Sequence, residues 1–303
     1  MTFRDSAAAT LVAVIWGFNF VVIDWGMAGI PPLLFLAVRF VVVVVPAVFL
    51  VPRPAASWRV VAAVGAFMSL GQFSLLYLSI AAGMPPGLAG LVLQAQVVFT
   101  VVIAAGALRE VPTRHQVVGI LIGATGLLVV ALGRGGQTPG IALLLCLAAA
   151  LSWGVGNTVS RASGVAGGLS LTVWSALVVP VPALALSLVV DGPGGVLDGA
   201  RAFGWHAALG TAYTALLASL VGYGIFNTLL SRNPPSAVVP WVLLVPPVSI
   251  TSAWLALGDV PTPAELGGGA VMLTGVLVTM MGGRRLASTT PVSAAVDAAP
   301  AGR

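Results

Sequence analysis

A series of about ten apolar stretches runs through the 303-residue chain and constrains its fold more than any other feature. A helix needs about 20 predominantly apolar residues to cross a bilayer. By our estimate the stretches are 7–23, 33–51, 59–80, 88–107, 116–132, 141–159, 171–190, 204–229, 236–257 and 264–282. Charged residues make up only 7% of the chain, whereas a soluble domain carries about 25%. The sequence therefore predicts an all-α integral membrane protein with ten transmembrane helices and the lipid bilayer as its solvent.

The arginines and the cysteine exclude several other classes of protein. The net charge of +5 comes without a single lysine, and the arginines are scattered between apolar runs, so we expect no nucleic-acid partner. A lone cysteine, Cys146, allows no intramolecular disulfide and no cysteine-based metal site. We therefore predict no metal, no cofactor and no catalytic residues. The expected partners are a small-molecule substrate and the bilayer.

The two ends of the chain are also informative. The stretch 7–23 is nearly long enough to span and more spans follow it, so we interpret it as the first transmembrane helix rather than a cleavable signal peptide. The segment 286–303 is rich in alanine, serine and proline without apolar periodicity. It is predicted to be a disordered cytoplasmic tail.

Arginine placement predicts how the spans are oriented. Cytoplasmic loops of membrane proteins carry an excess of arginine and lysine. With the N-terminus inside, only Arg134 and Arg201 fall on the outer side. The arginines on the inner side are Arg4, Arg53, Arg59, Arg109, Arg114, Arg161, Arg232, Arg284, Arg285 and Arg303. With an even number of spans, this bias predicts a multi-pass inner (plasma) membrane protein with both termini in the cytoplasm.

Two parts of the chain have closely similar amino-acid sequences. LREVPTRHQVVGILIGATGLLVV begins at Leu108 and LGDVPTPAELGGGAVMLTGVLVT begins at Leu257, and a gapless alignment pairs VPT, then Gly, then TG. At the same offset MPPG pairs with NPPS, and with a small gap IWGFN pairs with SWGVGN further upstream. These matches predict two five-helix repeats, 1–135 and 136–285. Five is an odd number, so the second repeat enters the membrane from the opposite side.

Inverted-topology repeats predict a transporter that works by alternating access, because many secondary transporters have this architecture. Gene duplication also produces repeats in membrane proteins without a transport role, so a membrane enzyme, a channel and a scaffold are the alternatives. A metal-dependent lipid transferase needs paired carboxylates, and an intramembrane serine protease needs a histidine within reach of a serine. The spans contain neither arrangement. Saturable counterflow in proteoliposomes distinguishes a carrier from a pore or a scaffold.

Several motifs resemble those of a known family. Trp16-Gly17 in the first span is echoed by Trp153-Gly154 in the sixth, and further similarity lies in WGFNFVVI, PPLLFLAVRF, GMPPGLAGLVLQAQVVFT, LSWGVGN, VGYGIFNTLL and LLVPPV. Over 7–285 the chain resembles the EamA family of the drug/metabolite transporter superfamily, and most of all its bacterial exporters of cysteine and O-acetylserine. The resemblance implies an EamA-type unit in each repeat and a monomer that exports small, amino-acid-like metabolites of that class. Another small organic compound or a drug is the alternative cargo.

Polar side chains inside the spans are candidates for a cargo site, because they are costly in lipid. The candidates are Asn19, Arg39, Gln72, Tyr77, Gln94, Asn157, Tyr223, Asn227 and Trp241. Neutral amides and hydroxyls hydrogen-bond a zwitterion without bringing a fixed charge into the membrane. The same groups also join helices to one another, so both roles stay open for each residue.

Arg39 is the most informative candidate. It lies about seven residues into the second span, roughly 10 Å deep, where an arginine costs on the order of 3 kcal/mol. It could anchor a carboxylate of the cargo, or it could be a structural arginine bonded to helix ends with Asp24 nearby. No carboxylate or lysine lies deep in a span, so either the cargo moves down its own gradient or coupling uses Asp24 or another site. We expect a cargo that is polar but carries no net charge.

The orientation can be tested with a reporter. A reporter fused after Arg285 is expected to show cytoplasmic activity, because the arginine bias places that end inside. Paired fusions of a cytoplasmic and a periplasmic reporter at the same residue provide the control. Periplasmic activity there would contradict the ten-span orientation.

Overall fold

A computed structural model describes residues 1–133, 138–164 and 168–287 of the chain. Ten of its helices are long and apolar enough to cross a membrane, which confirms the expected number. They are α1 Phe3–Gly26, α2 Pro32–Leu50, α3 Trp58–Ala81, α4 Pro86–Ala107, α5 Arg114–Gly133, α6 Gly140–Ala162, α7 Leu169–Val190, α8 Trp205–Arg232, α9 Val239–Leu257 and α10 Pro263–Ala287. The described residues contain no β-strand.

Some predicted features lie outside the described residues, and others differ from the structure. The predicted repeat boundary and Arg134 lie in 134–137, and most of the predicted tail lies in 288–303; both segments are outside the described residues. Helix α10 continues through Ala287, slightly into the predicted tail. A short helix, Gly192–Arg201, precedes α8 and was not predicted. Its glycines and single proline resemble a loop in sequence, and tertiary packing against Pro31 and Leu34 of the α2 region outweighs that local signal.

The repeated VPT motif forms the start of a helix in both halves. At α5, the Thr113 amide donates to Gln116 Oε1 at 2.8 Å, and the Gln116 amide donates to Thr113 Oγ1 at 3.3 Å. At α10, Thr262 and Glu265 exchange the equivalent bonds at 2.7 and 3.2 Å. Each pair is a capping box, which satisfies two backbone donors that a helix end leaves unpaired.

The repeated glycines bring α5 and α10 together. A Cβ added to Gly119 would lie 2.6 Å from the carbonyl oxygen of Gly275, and one added to Gly275 would lie 2.6 Å from that of Gly119. Gly126 and Gly268 show the same reciprocal approach, at 2.6 and 2.8 Å. The helices are antiparallel, because the later residue of α5 meets the earlier residue of α10. Reciprocal contacts between repeat-related residues define a two-fold axis perpendicular to the helices, as inverted repeats require.

Contacts elsewhere also exchange between the two halves. Helix α1 packs on α9 as α6 packs on α4, and α8 packs on α1 as α3 packs on α6. A Cβ added to Gly17 would lie 2.6 Å from Val248 Cβ, and one added to Gly154 would lie 2.9 Å from Phe99 Cβ. Val248 and Phe99 are paired by the offset that aligns Val260 with Val111. The two units are therefore similar in fold as well as in sequence.

Matching irregularities interrupt the repeat-related helices. Helix α3 contains a π-helical segment, Gly65–Gly71, and α8 contains one over Tyr213–Val221, at the equivalent place in the second repeat. Helix α9 begins as a 3₁₀ turn, Val239–Leu244, and the related part of α4 breaks near Gln94. Segments of this kind free backbone carbonyls from the regular helical pattern, and they are frequent at functional sites.

The glycine contacts predict that two Gly→Ala substitutions have different effects on stability. Gly126→Ala should lower the melting temperature of the detergent-solubilised protein, because the added methyl overlaps the backbone of Met272 and Gly268; such overpacking costs about 1–3 kcal/mol. Gly106→Ala, in α4, meets nothing within 4 Å and should leave stability unchanged or raise it slightly. Equal effects of both changes would contradict the described α5–α10 packing.

Candidate functional site

An internal cavity of about 330 Å³ lies between α1, α2, α3, α4, α6, α8 and α9. Helices α5 and α10 contribute no residue to its wall and pack chiefly on each other. The predicted candidates that line it are Asn19, Arg39, Gln72, Gln94, Asn157 and Tyr223. The fold thus brings most of the polar residues predicted from the sequence to one place.

The other three candidates lie elsewhere. Tyr77 is fully buried behind Arg39 and is hydrogen-bonded to it. Asn227 lines an adjoining chamber and donates to the Tyr223 carbonyl at 2.8 Å. Trp241 packs with Ala9, Leu229 and Val238 in a small apolar cluster and is not part of the cavity wall. The 3₁₀ start of α9 places Trp241 on that side, whereas the wall receives Val239, Val242 and Val245.

Arg39 is held by neutral groups and aromatic rings. Its side chain is among the most buried, with 2% of the residue exposed. Nη1 donates to Tyr77 Oη at 2.8 Å, and Nη2 donates to Ser219 Oγ at 3.1 Å. The guanidinium carbon lies 4.3 Å from the centre of the Phe73 ring, a cation–π contact. Asp24, the partner suggested in the structural alternative, is not among its hydrogen-bond partners.

The hydrogen bonding of Arg39 is incomplete. Its Nε is buried and has no hydrogen-bond partner, and the same holds for Oδ1 of Asn19. Gln72 and Gln94, which are also buried on this wall, have no side-chain partner within the described part of the chain. Buried polar groups without partners are rare in folded proteins. Arg39 Nε and Asn19 Oδ1 have almost no exposed surface, so a ligand in the cavity reaches them only when neighbouring side chains move.

Asn157 differs from the other amides, because it joins two helices. Its Nδ2 donates to Gln96 Oε1 at 2.9 Å and to Thr100 Oγ1 at 3.3 Å, which ties α6 to α4. Gln94, two residues before Gln96, remains unbonded on the wall. Gln96 lies on the same wall, so these two amides of α4 differ in their hydrogen bonding rather than in their location.

Sequence reasoning missed several residues of the wall. Trp16, Trp153, Phe73 and Phe226 give it an apolar, aromatic surface. The two tryptophans were identified as repeat markers but not as wall residues. Ser219, the partner of Arg39, carries no signal in the sequence, because the π-helical segment changes which side chains of α8 point inward.

The cavity adjoins a second chamber towards one end of the bundle, and helices pack closely at the other end. A chamber of about 220 Å³ between α2, α3, α6, α7 and α8 shares Met68, Phe73, Tyr223 and Phe226 with it. Its wall includes Gly168 and Leu169 at the start of α7 and Leu230 near the end of α8, on the side predicted to be cytoplasmic. At the opposite end, Phe35 packs closely on the touching glycines Gly26 and Gly210.

A bundle of ten apolar helices with a partly polar cavity between seven of them is typical of a membrane transporter. A family model described as the EamA-like transporter family matches residues 6–132 and again 140–281. The chain belongs to this family, which confirms the resemblance and the expectation of a transporter rather than an enzyme. The double match also agrees with the two halves described above.

Three relatives and one solved structure extend the comparison. The chain is 38% identical to a "Probable amino-acid metabolite efflux pump" of Salmonella typhimurium, over 94% of this chain and 97% of the relative. It is 37% identical to the protein of the same name in Escherichia coli, over 93% and 96%. It is 29% identical to a "Probable terminal-alkyne amino-acid exporter" of Streptantibioticus cattleyicolor, over 68% of both. A crystal structure at 20% identity shares the fold, with a TM-score of 0.60 over 93% of this chain and 99% of its own.

Proposed function

We propose that this protein exports small amino-acid-like metabolites across the bacterial inner membrane by alternating access, and that the cargo binds in the central cavity. Cargo of the cysteine and O-acetylserine class fits best, and the protein works as a monomer with both termini in the cytoplasm. Family membership and the names of the relatives support export of this kind. The observation that carries the proposal is the buried guanidinium of Arg39, which lacks a carboxylate partner in the described chain and has an unpaired Nε.

A zwitterion complements the unpaired groups of the wall. A carboxylate accepts hydrogen bonds from Arg39, and charge-assisted bonds of this kind are roughly twice as strong as neutral ones. An ammonium group donates to amide oxygens such as the unpaired Oδ1 of Asn19. Gln72 and Gln94 supply further amide groups on the same wall. Such a cargo leaves no net charge to compensate, in agreement with the absence of a carboxylate from the wall.

The aromatic part of the wall favours a second candidate cargo. Trp16, Trp153 and Phe226 offer an apolar surface opposite the polar groups. A small organic compound or drug without a carboxylate would use this surface and would not need Arg39. Substitution of Arg39 therefore separates the two cargo classes.

Transport into inside-out vesicles tests the proposal. Vesicles with the native protein are expected to take up labelled cysteine or O-acetylserine saturably. Arg39→Ala should raise KM about tenfold or more, because a bond to a charged group is lost. Arg39→Lys should restore only part of the affinity, because lysine keeps the charge but loses the planar fork.

Arg201→Ala is the matched control, because Arg201 is an exposed arginine paired with Asp198 near the end of the bundle. It should transport like the native protein. Clear transport of an unrelated organic cation, without saturable uptake of either amino acid, would refute the cargo class and leave the transporter assignment intact.

A further inference from the structure

Arg39 connects the two halves of the protein. Its bond to Tyr77 stays within the first half, whereas its bond to Ser219 crosses to α8 in the second half. Two other side-chain hydrogen bonds join this π-helical segment to the first half: Trp16 Nε1 donates to the Ala218 carbonyl at 2.9 Å, and Tyr213 Oη donates to the Ile15 carbonyl at 3.0 Å. Any movement of α8 relative to α2 must therefore break or stretch the Arg39–Ser219 bond.

Ser219 is a neutral acceptor in this bond. Its hydroxyl donates to the Thr214 carbonyl at 2.9 Å, so the hydroxyl proton is already used and only lone pairs face Arg39. The five-residue separation of Ser219 and Thr214 belongs to the π-helical segment of α8. The π-helical geometry thus holds the hydroxyl in the orientation that accepts from Arg39.

A carboxylate that binds Arg39 through Nε and Nη2 would compete with Ser219 for Nη2. Nε and Nη2 direct hydrogens along one edge of the planar fork, where a carboxylate binds with two parallel bonds. Nε is unpaired and Nη2 is bonded to Ser219. Because a carboxylate is the stronger acceptor, it replaces the hydroxyl when it occupies this edge.

We propose that Ser219 is a positioning residue that ties α8 to Arg39 in the cargo-free protein, and that the cargo carboxylate breaks this tie by taking the Nε–Nη2 edge. This inference rests on the proposed function, because it requires a carboxylate at Arg39. Cargo binding then removes this bond between α2 and α8, and α8 moves to close the chamber at the predicted cytoplasmic end. The empty protein remains tied in the conformation described here.

Thiol labelling can report this release. Cys146 is buried, so a Cys146→Ala background carrying Thr172→Cys places one reactive thiol on the wall of the chamber. In inside-out vesicles, O-acetylserine should slow maleimide labelling of the reporter when Ser219 is present. In Ser219→Ala the tie is absent, so labelling without cargo should already be slow. One bond to a charged group corresponds to a change in this equilibrium of about tenfold.

Two further variants make the test specific. Ser219→Thr keeps a hydroxyl and should restore the effect of O-acetylserine on labelling. Ser79→Ala removes a different bond between the halves, from Ser79 Oγ to the Ala142 carbonyl, away from the cavity wall, and it should keep that effect. An undiminished effect of O-acetylserine in Ser219→Ala would overturn the tie while the proposed function stands. No effect of O-acetylserine in any variant, together with no uptake of it, would overturn both.

Discussion

The buried charge of Arg39 is the interaction on which the arrangement around the cavity depends. Placing an arginine in the middle of a bilayer costs on the order of 3 kcal/mol of insertion free energy. Other protein groups must therefore stabilise the charge. The Arg39 charge is stabilised by hydrogen bonds to Tyr77 and Ser219 and by the face of the Phe73 ring, which belong to α3 and α8. These partners are neutral, so they offset part of the cost and leave the charge available to a ligand. The site combines a buried positive charge with an apolar, aromatic wall.

The repeat explains why the surrounding scaffold can support two conformations. The glycine contacts of α5 and α10 and the packing of α1 on α9 each have a counterpart in the other half. Two equivalent units can exchange their conformations at little difference in energy, which is the requirement of alternating access. Polar chemistry is less symmetric than packing. Helix α2 carries Arg39, whereas its counterpart α7 carries no charged residue, so the first half supplies the positive charge beside the cavity.

Much of this fold could be predicted from the sequence, because the bilayer allows few alternatives. Helix number followed from apolar length, and the repeat followed from paired motifs such as the VPT segments. The structure gives those motifs a physical meaning: Thr113 and Thr262 cap helices, and Gly126 and Gly268 allow close approach. Residue type also identified most of the polar residues of the cavity wall, because a polar side chain such as Gln94 is costly where it faces lipid.

The remaining features depend on local helix geometry that a regular 3.6-residue period does not describe. A π-helical segment rotates the residues that follow it, so Ser219 could not be identified as the partner of Arg39. The 3₁₀ start of α9 similarly turns Trp241 away from the cavity. Prolines such as Pro240 and Pro246 predict that α9 is irregular. They do not predict which side chains of α9 then face the cavity.

Binding of a cargo and of its uncharged analogue to the purified protein tests the central claim most directly. O-acetylserine and its α-carboxamide have nearly the same shape, but only the first presents a carboxylate to Arg39. The account predicts that O-acetylserine binds at least about tenfold more tightly than the carboxamide, and that Arg39→Ala removes the difference. Equal affinity of the native protein for both compounds would contradict a carboxylate site at Arg39.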